Sequence, residues 1–167
     1  MLGGSVEGIR DDLFITVTPT LPNTIKMIYE LYKLWQIMNI LITLPKNLLE
    51  KILYGEKEFE MRKCLPKHMK IGEDGFFVVE KGTDDVRCWC RVDHVMETYI
   101  DHYSAELFAS RLCVSEEYIE KYANGEKVYL WKIGKVVAIE CLKRDSLFVD
   151  RNPQQFAYCS LSYGESY

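Results

Sequence analysis

The sequence predicts an α+β fold: a mostly antiparallel β-barrel with helices flanking it. Three observations support this. Short apolar runs with strand-like alternation recur at unequal intervals through most of the 167 residues. One amphipathic helical segment precedes the main group of strands, and a pair of short helical segments interrupts it. No regular alternation of strand and helix builds toward a parallel sheet. A compact barrel with external helices accommodates such a pattern.

Taken in order, residues 1–22 carry Gly, Thr and Pro and are weakly patterned. A helix is expected over 23–36, where Ile25, Ile28, Leu31, Leu34 and Trp35 recur at helical spacing and Asn23 or Thr24 can cap the start. Domain-like patterning begins at Met38. The expected organisation is an extension over 1–37, a domain over 38–162 and a polar tail over 163–167. The apolar stripe of the 23–36 helix is suited to docking, either on the barrel or on a protein partner.

Residues 39–44 form an apolar run expected as a strand. Pro45 suits the first turn of a helix over 45–54, where its missing amide costs nothing. Leu48, Leu49, Ile52 and Leu53 give that helix an apolar face, and Gly55 can end it in the left-handed conformation. Strands are then expected over about 58–63, 76–80 and 86–98, the second closed by a turn at 81–84. Ser104 is expected to cap a helix ending near Leu112. Ser115 is expected to cap another over 116–123, stopped by Asn124-Gly125. The longest strand should run over 127–142, with Gly134 marking a bend or bulge, and 156–161 should close the barrel.

Composition narrows the function. The formal net charge is -4, whereas proteins that grip duplex DNA through many phosphates are usually basic. The charge is uneven: residues 46–70 hold six lysines and one arginine against four glutamates. A positive patch on an acidic body suits one phosphate or a few nucleotides. The start of the chain has no basic-then-apolar leader pattern. No run of about 18 uncharged apolar residues exists to span a membrane. A cytoplasmic protein is expected, and its six cysteines are then expected as free thiols. Cys88 and Cys90 share a strand face. Cys64 and His68 have no second pair at zinc-finger spacing, so no metal or other cofactor is expected.

The run 55–62, G-E-K-E-F-E-M-R, is the most informative. In a regular strand Glu58, Glu60 and Arg62 point one way while Phe59 and Met61 point into the core. Glu60 and Arg62 can then pair and hold each other's orientation. Lys57 has the opposite parity and joins them only if the turn redirects it. Such a trio can bind a phosphate or base edge, or it can be a surface ion-pair ladder. Tyr129 and Trp131, two apart on a strand, can stack on a base or line the core. The polar loop around Gln154 can read a ligand edge.

The G-x-K-x-x-E-x-R pattern resembles the signature of the ASCH family, whose members share a PUA-like barrel. The resemblance extends over 39–161. It takes in the opening strand and Pro45 helix, Tyr122-x-x-Gly125 leading into Val128-Tyr-Leu-Trp-Lys-Ile133, and Asn152-Pro-Gln154 before Phe156 and Tyr158. It implies a module for RNA or a nucleotide-like ligand, seated in a cleft between the barrel and the 45–54 helix. Gly55, Lys57, Glu60, Arg62, Tyr129, Trp131 and Gln154 are the implied ligand-binding residues. Some relatives are small hydrolases, including acetylcytidine amidohydrolases and a ribonuclease, which leaves a hydrolase or nuclease acting through Lys57 and Glu60 as an alternative. The amidohydrolases carry a threonine nucleophile three residues after the motif lysine. Here that position is Glu60, which argues against that activity. A protein-interaction module remains a second alternative.

Overall fold

The computed structural model describes residues 14–16, 39–149 and 156–161. The elements run β1 (Phe14–Thr16), β2 (Asn39–Leu44), α1 (Lys46–Leu53), β3 (Phe59–Arg62), β4 (Gly75–Glu80), β5 (Asp85–Tyr99), α2 (His102–Leu112), α3 (Glu116–Ala123) and β6 (Lys127–Lys143). A single 3-10 turn (Arg144–Ser146), β7 (Leu147–Val149) and β8 (Ala157–Leu161) follow. The expected helix over 23–36, its docking face, the loop holding Gln154 and the tail over 163–167 lie outside the described residues. No helix among the described residues is long and apolar enough to cross a membrane.

All the described strands join one sheet in the order β1-β6-β5-β4-β2-β8-β7, with β3 pairing β6 off this path. The sheet is mostly antiparallel, as the sequence implies, but β1–β6 and β2–β4 are parallel pairs. β1 comes from the stretch in which the sequence reading places only a helix. Among the described residues the hydrogen-bonded path does not close, so the barrel is open.

β2 and β4 are buried on both faces, which is why they read as unbroken apolar runs rather than alternating ones. Ile40, Ile42, Phe76 and Val78 face inward with Cys88, Cys90, Val92 and Trp131, and α1 adds Leu49 and Ile52 to this cluster. Leu41, Phe77 and Val79 face the other way with Trp89, Val137 and Ile139. The Trp89 indole donates to Asn39 Oδ1 at 2.7 Å, which satisfies a buried polar group. A third cluster unites Phe59 and Met61 of β3 with Val128 and Leu130 of β6, beneath Ala105, Phe108 and Leu112 of α2 and Ile119 of α3. This cluster fixes the two later helices over the β3–β6 pair.

The long β5–β6 pair bends through register shifts. Cys90 pairs Val136 and Val92 pairs Ile133, so β6 carries an extra residue at Gly134–Lys135; Val92 then leads to His94 opposite Lys132, which leaves Asp93 extra on β5. Gly134 thus marks a bulge, and a Cβ there would meet the Asp93 carboxyl group at 2.1 Å. At Gly75 a Cβ would meet the Cys90 carbonyl oxygen at 2.2 Å and the Trp89 ring.

The helix starts follow capping chemistry. Ser115 accepts from the Tyr118 amide at 3.2 Å, as expected of a cap. α2 starts earlier than expected because Asp101, not Ser104, is its cap. The Asp101 carboxylate accepts from the Ser104 amide at 2.8 Å, and Ser104 Oγ accepts from the Asp101 amide at 2.8 Å, a reciprocal capping box. His102 Nδ1 lies 3.1 Å from Glu120 Oε1 and links α2 to α3. Donating a hydrogen bond to the Glu120 carboxylate, reinforced by that group's charge, raises the His102 pKa.

Two predictions follow from the fold. Gly75→Ala should lower the melting temperature more than Gly134→Ala, because a backbone carbonyl and a packed indole cannot move aside as the Asp93 carboxyl end can; overpacking of this kind costs about 1–3 kcal/mol. Thermal denaturation of the two variants checks the order. A proton-NMR titration should place the His102 midpoint above the ordinary value of about 6.5, and Glu120→Gln should bring it back down. Since the folded pKa is raised, the stabilisation from this pair is fully present below the unfolded pKa and is lost as pH rises through the folded one.

Candidate functional site

The site begins where α1 turns into β3. Gly55 takes φ 73°, a conformation that glycine adopts without strain, and the chain folds back over the helix end. The amides of Glu56 and Lys57 both donate to the Lys51 carbonyl, at 2.8 and 3.0 Å. Lys57 therefore stands outside the strand, and the parity that would send it to the opposite face does not apply. The Glu58 amide donates to the Arg111 carbonyl and the Ile133 amide to the Glu58 carbonyl, each at 2.8 Å. The corner is thereby tied to both α2 and β6.

This places three charged side chains together in the interior. Lys57 Nζ donates to the Leu112 carbonyl at 2.8 Å and lies 3.3 Å from Glu60 Oε2. The other Glu60 oxygen is 2.8 Å from an Arg62 terminal nitrogen. Lys57, Glu60 and Arg62 are only 4, 5 and 9% exposed. They are not a surface ladder. Charges this deep persist only when paired and hydrogen-bonded, and removing one partner leaves a costly buried charge behind.

The trio lies against an open groove of about 670 Å³, within the range of about 300–1,000 Å³ common for small-ligand sites. One side is formed by Thr43, Leu44, Pro45, Asn47 and Leu48 around the start of α1, with Lys81 from the turn after β4. The other comes from the α2–α3 junction, from Leu112 to Ser115, with Tyr118 and Tyr122 of α3. Three cations, Lys57, Arg62 and Lys81, face one anion, Glu60, along this lining. The cleft expected between the barrel and the first helix is present, and α2 and α3 supply its far wall.

The other sequence candidates fall elsewhere. Gly55 is exposed and shapes the corner without lining the groove. Trp131 and Tyr129 do not line it either, and complete burial rules out the expected stacking role for Trp131. The register pairs Glu60 with Trp131 and Arg62 with Tyr129, so the rings share the inward face of the charged residues and the core takes them. Trp131 is 0% exposed, packed against Phe76 and Phe156 at centroid distances of 5.8 and 6.3 Å. Its indole nitrogen has no hydrogen-bond partner among the described residues. Tyr129 is half-buried, with Lys127 over its ring at 5.6 Å. Gln154 lies outside the described residues.

Sequence reasoning missed Lys81 and Tyr118, and it took up Tyr122 only within the family resemblance. The tyrosines stand four apart on a helix and so share one face. That spacing was a readable signal, but it does not say which neighbour the face meets. Among the described residues no three His, Cys, Asp or Glu side chains are grouped to hold a metal ion. The six cysteines form no disulfide: Cys88, Cys90 and Cys159 are buried, Cys64 and Cys113 are half-buried, and Cys141 is exposed.

No family model matches this chain, and no curated protein matches it. Solved structures do match. The ASCH protein of Zymomonas mobilis superposes with a TM-score of 0.60 at 16% identity, covering 72% of this chain and 86% of its own. Its Ser-to-Ala and Tyr-to-Phe mutants both give 0.56 at 17% identity over 72% of this chain, covering 87% and 88% of their own lengths. The fold is that of the ASCH domain.

Because Lys57 balances a buried carboxylate, Lys57→Ala should destabilise the domain by about 3 kcal/mol. Lys46→Ala should change stability little, since Lys46 is exposed and its partner Glu50, half-buried, is 3.9 Å away. Urea denaturation of both variants measures the difference.

Proposed function

We propose that this ASCH-fold chain is a cytoplasmic binding module for RNA or a nucleotide-like ligand, held in the groove over Lys57, Glu60 and Arg62. The convergence of these three side chains on one hollow carries the reading. Arg62 presents a planar guanidinium suited to a phosphate or a base carbonyl. Lys57 is held internally by the Leu112 carbonyl, so its main task is to fix Glu60 and leave a positive floor. Glu60, gripped by a cation on each oxygen, orients Arg62. Lys81 adds a third cation at the lining. A cytoplasmic setting agrees with six cysteines that form no disulfide.

The positive lining belongs to a chain of net charge -4. That contrast favours a short anionic ligand over a long duplex, which would meet acidic surface beyond the groove. Affinity should therefore fall only shallowly with salt. For two phosphate contacts on a single strand the log–log slope is about -1.4, at about 0.7 per contact.

Arg62→Lys keeps the charge but loses the fork, so it should weaken binding of a short RNA about tenfold or more while the domain stays folded. Isothermal titration with a short single-stranded RNA, alongside circular dichroism, makes the test. Unchanged affinity in a folded Arg62→Lys variant would overturn the assignment. Turnover of the RNA that disappears in Glu60→Gln would point to a hydrolase instead.

A further inference from the structure

The far wall of the groove carries an aromatic pair with no part in the charged corner. Tyr118 and Tyr122 both line the groove, and their rings lie 6.2 Å apart, inclined by only 20°. Tyr122 is half-buried beside the third core cluster, with Lys63 Nζ 5.8 Å from the centre of its ring. Tyr118 is 51% exposed. One ring is thus braced from behind while its neighbour offers a free edge and face. Both stand on α3, whose position is set by the Ser115 cap and by Ile119 packed into the core. The surface is held before any ligand arrives, so little ordering entropy is lost on binding.

We propose that Tyr118 and Tyr122 form a stacking wall for one unpaired nucleobase, whose phosphate is met by Arg62 and Lys81 across the groove. This rests on the nucleotide-binding reading above and deepens it by naming the ligand class: an unpaired base with at least one phosphate, free or within a single strand. The lining carries Lys57 and Arg62 around Glu60 on its floor, Lys81 among polar and apolar residues on one side and the two tyrosines on the other, and a nucleotide is likewise anionic at one end and flat at the other. Paired bases keep both faces stacked within a duplex and cannot present one to the wall. Trp131, the larger ring, is excluded from this role by its complete burial.

The discriminating experiment is isothermal titration of the full chain with adenosine monophosphate, ribose 5-phosphate and a blunt RNA duplex. Adenosine monophosphate should bind at least tenfold more tightly than ribose 5-phosphate, and the duplex should bind no better than the sugar phosphate. Tyr118→Ala, at an exposed position, leaves the core intact and should weaken the mononucleotide about 5- to 100-fold, the scale of one base–aromatic stack. It should leave ribose 5-phosphate unchanged. Tyr118→Phe should restore the affinity to within about twofold, since the ring and not the hydroxyl does the stacking. If Arg62→Lys loses the mononucleotide while Tyr118→Ala does not, the wall is overturned and the groove reading stands. Equal binding of the two phosphates would also overturn the wall. If neither phosphate nor the duplex binds the unaltered chain, the wall and the reading beneath it both fall.

Discussion

Glu60 sits between two cations in a place almost closed to water, and the surrounding architecture is arranged to make that possible. A buried carboxylate is costly unless its oxygens are met by charge and by donors. Here one oxygen meets Lys57 and the other Arg62. The lysine also needs a fixed acceptor, which it finds in the Leu112 carbonyl at the end of α2. That carbonyl is one of the last in its helix and has no partner within it. A helix end and a buried ammonium therefore satisfy one another, and the negative end of the helix dipole favours the cation.

This arrangement couples distant parts of the chain. For Leu112 to reach Lys57, α2 must lie across β3 and β6, which the cluster around Phe59, Met61, Phe108 and Leu130 secures. For Lys57 to turn inward, the chain must fold back on the end of α1, which Gly55 permits. The Glu58 backbone then clamps the corner to α2 on one side and β6 on the other. The same packing that supplies the carbonyl also brings the α2–α3 junction over the corner as the far wall of the groove. Fold and site share one set of contacts, so a change in either is felt in both.

Much of this was legible in the chain. The capping serine of α3, the glycine at the end of α1 and the run of apolar residues in β2 and β4 each carry a local physical signal, and each is found where that signal points. The pattern 55–62 marked the corner through the family resemblance, since the eight residues alone fit a surface ion-pair ladder equally well. Two local readings needed correction. Ser104 is a good cap by type, but Asp101 precedes it and takes the cap position, leaving Ser104 to complete the box. Tyr129 and Trp131 share a strand face, yet alternation alone does not tell whether that face meets solvent, a groove or the core.

The sequence by itself determined where helices end, where the chain must turn, and which residues are paired by strand parity, since these depend on neighbours within a few positions. It also marked the excess of positive charge around the corner. Tertiary structure decided which charges are buried, because burial depends on what packs from elsewhere. Lys57 stands more than fifty residues from the carbonyl that holds it, and the tyrosines that wall its groove lie farther along still. Interactions across such separations leave no periodic trace in a sequence. They exist only once the sheet has set its register and the later helices have been laid across it.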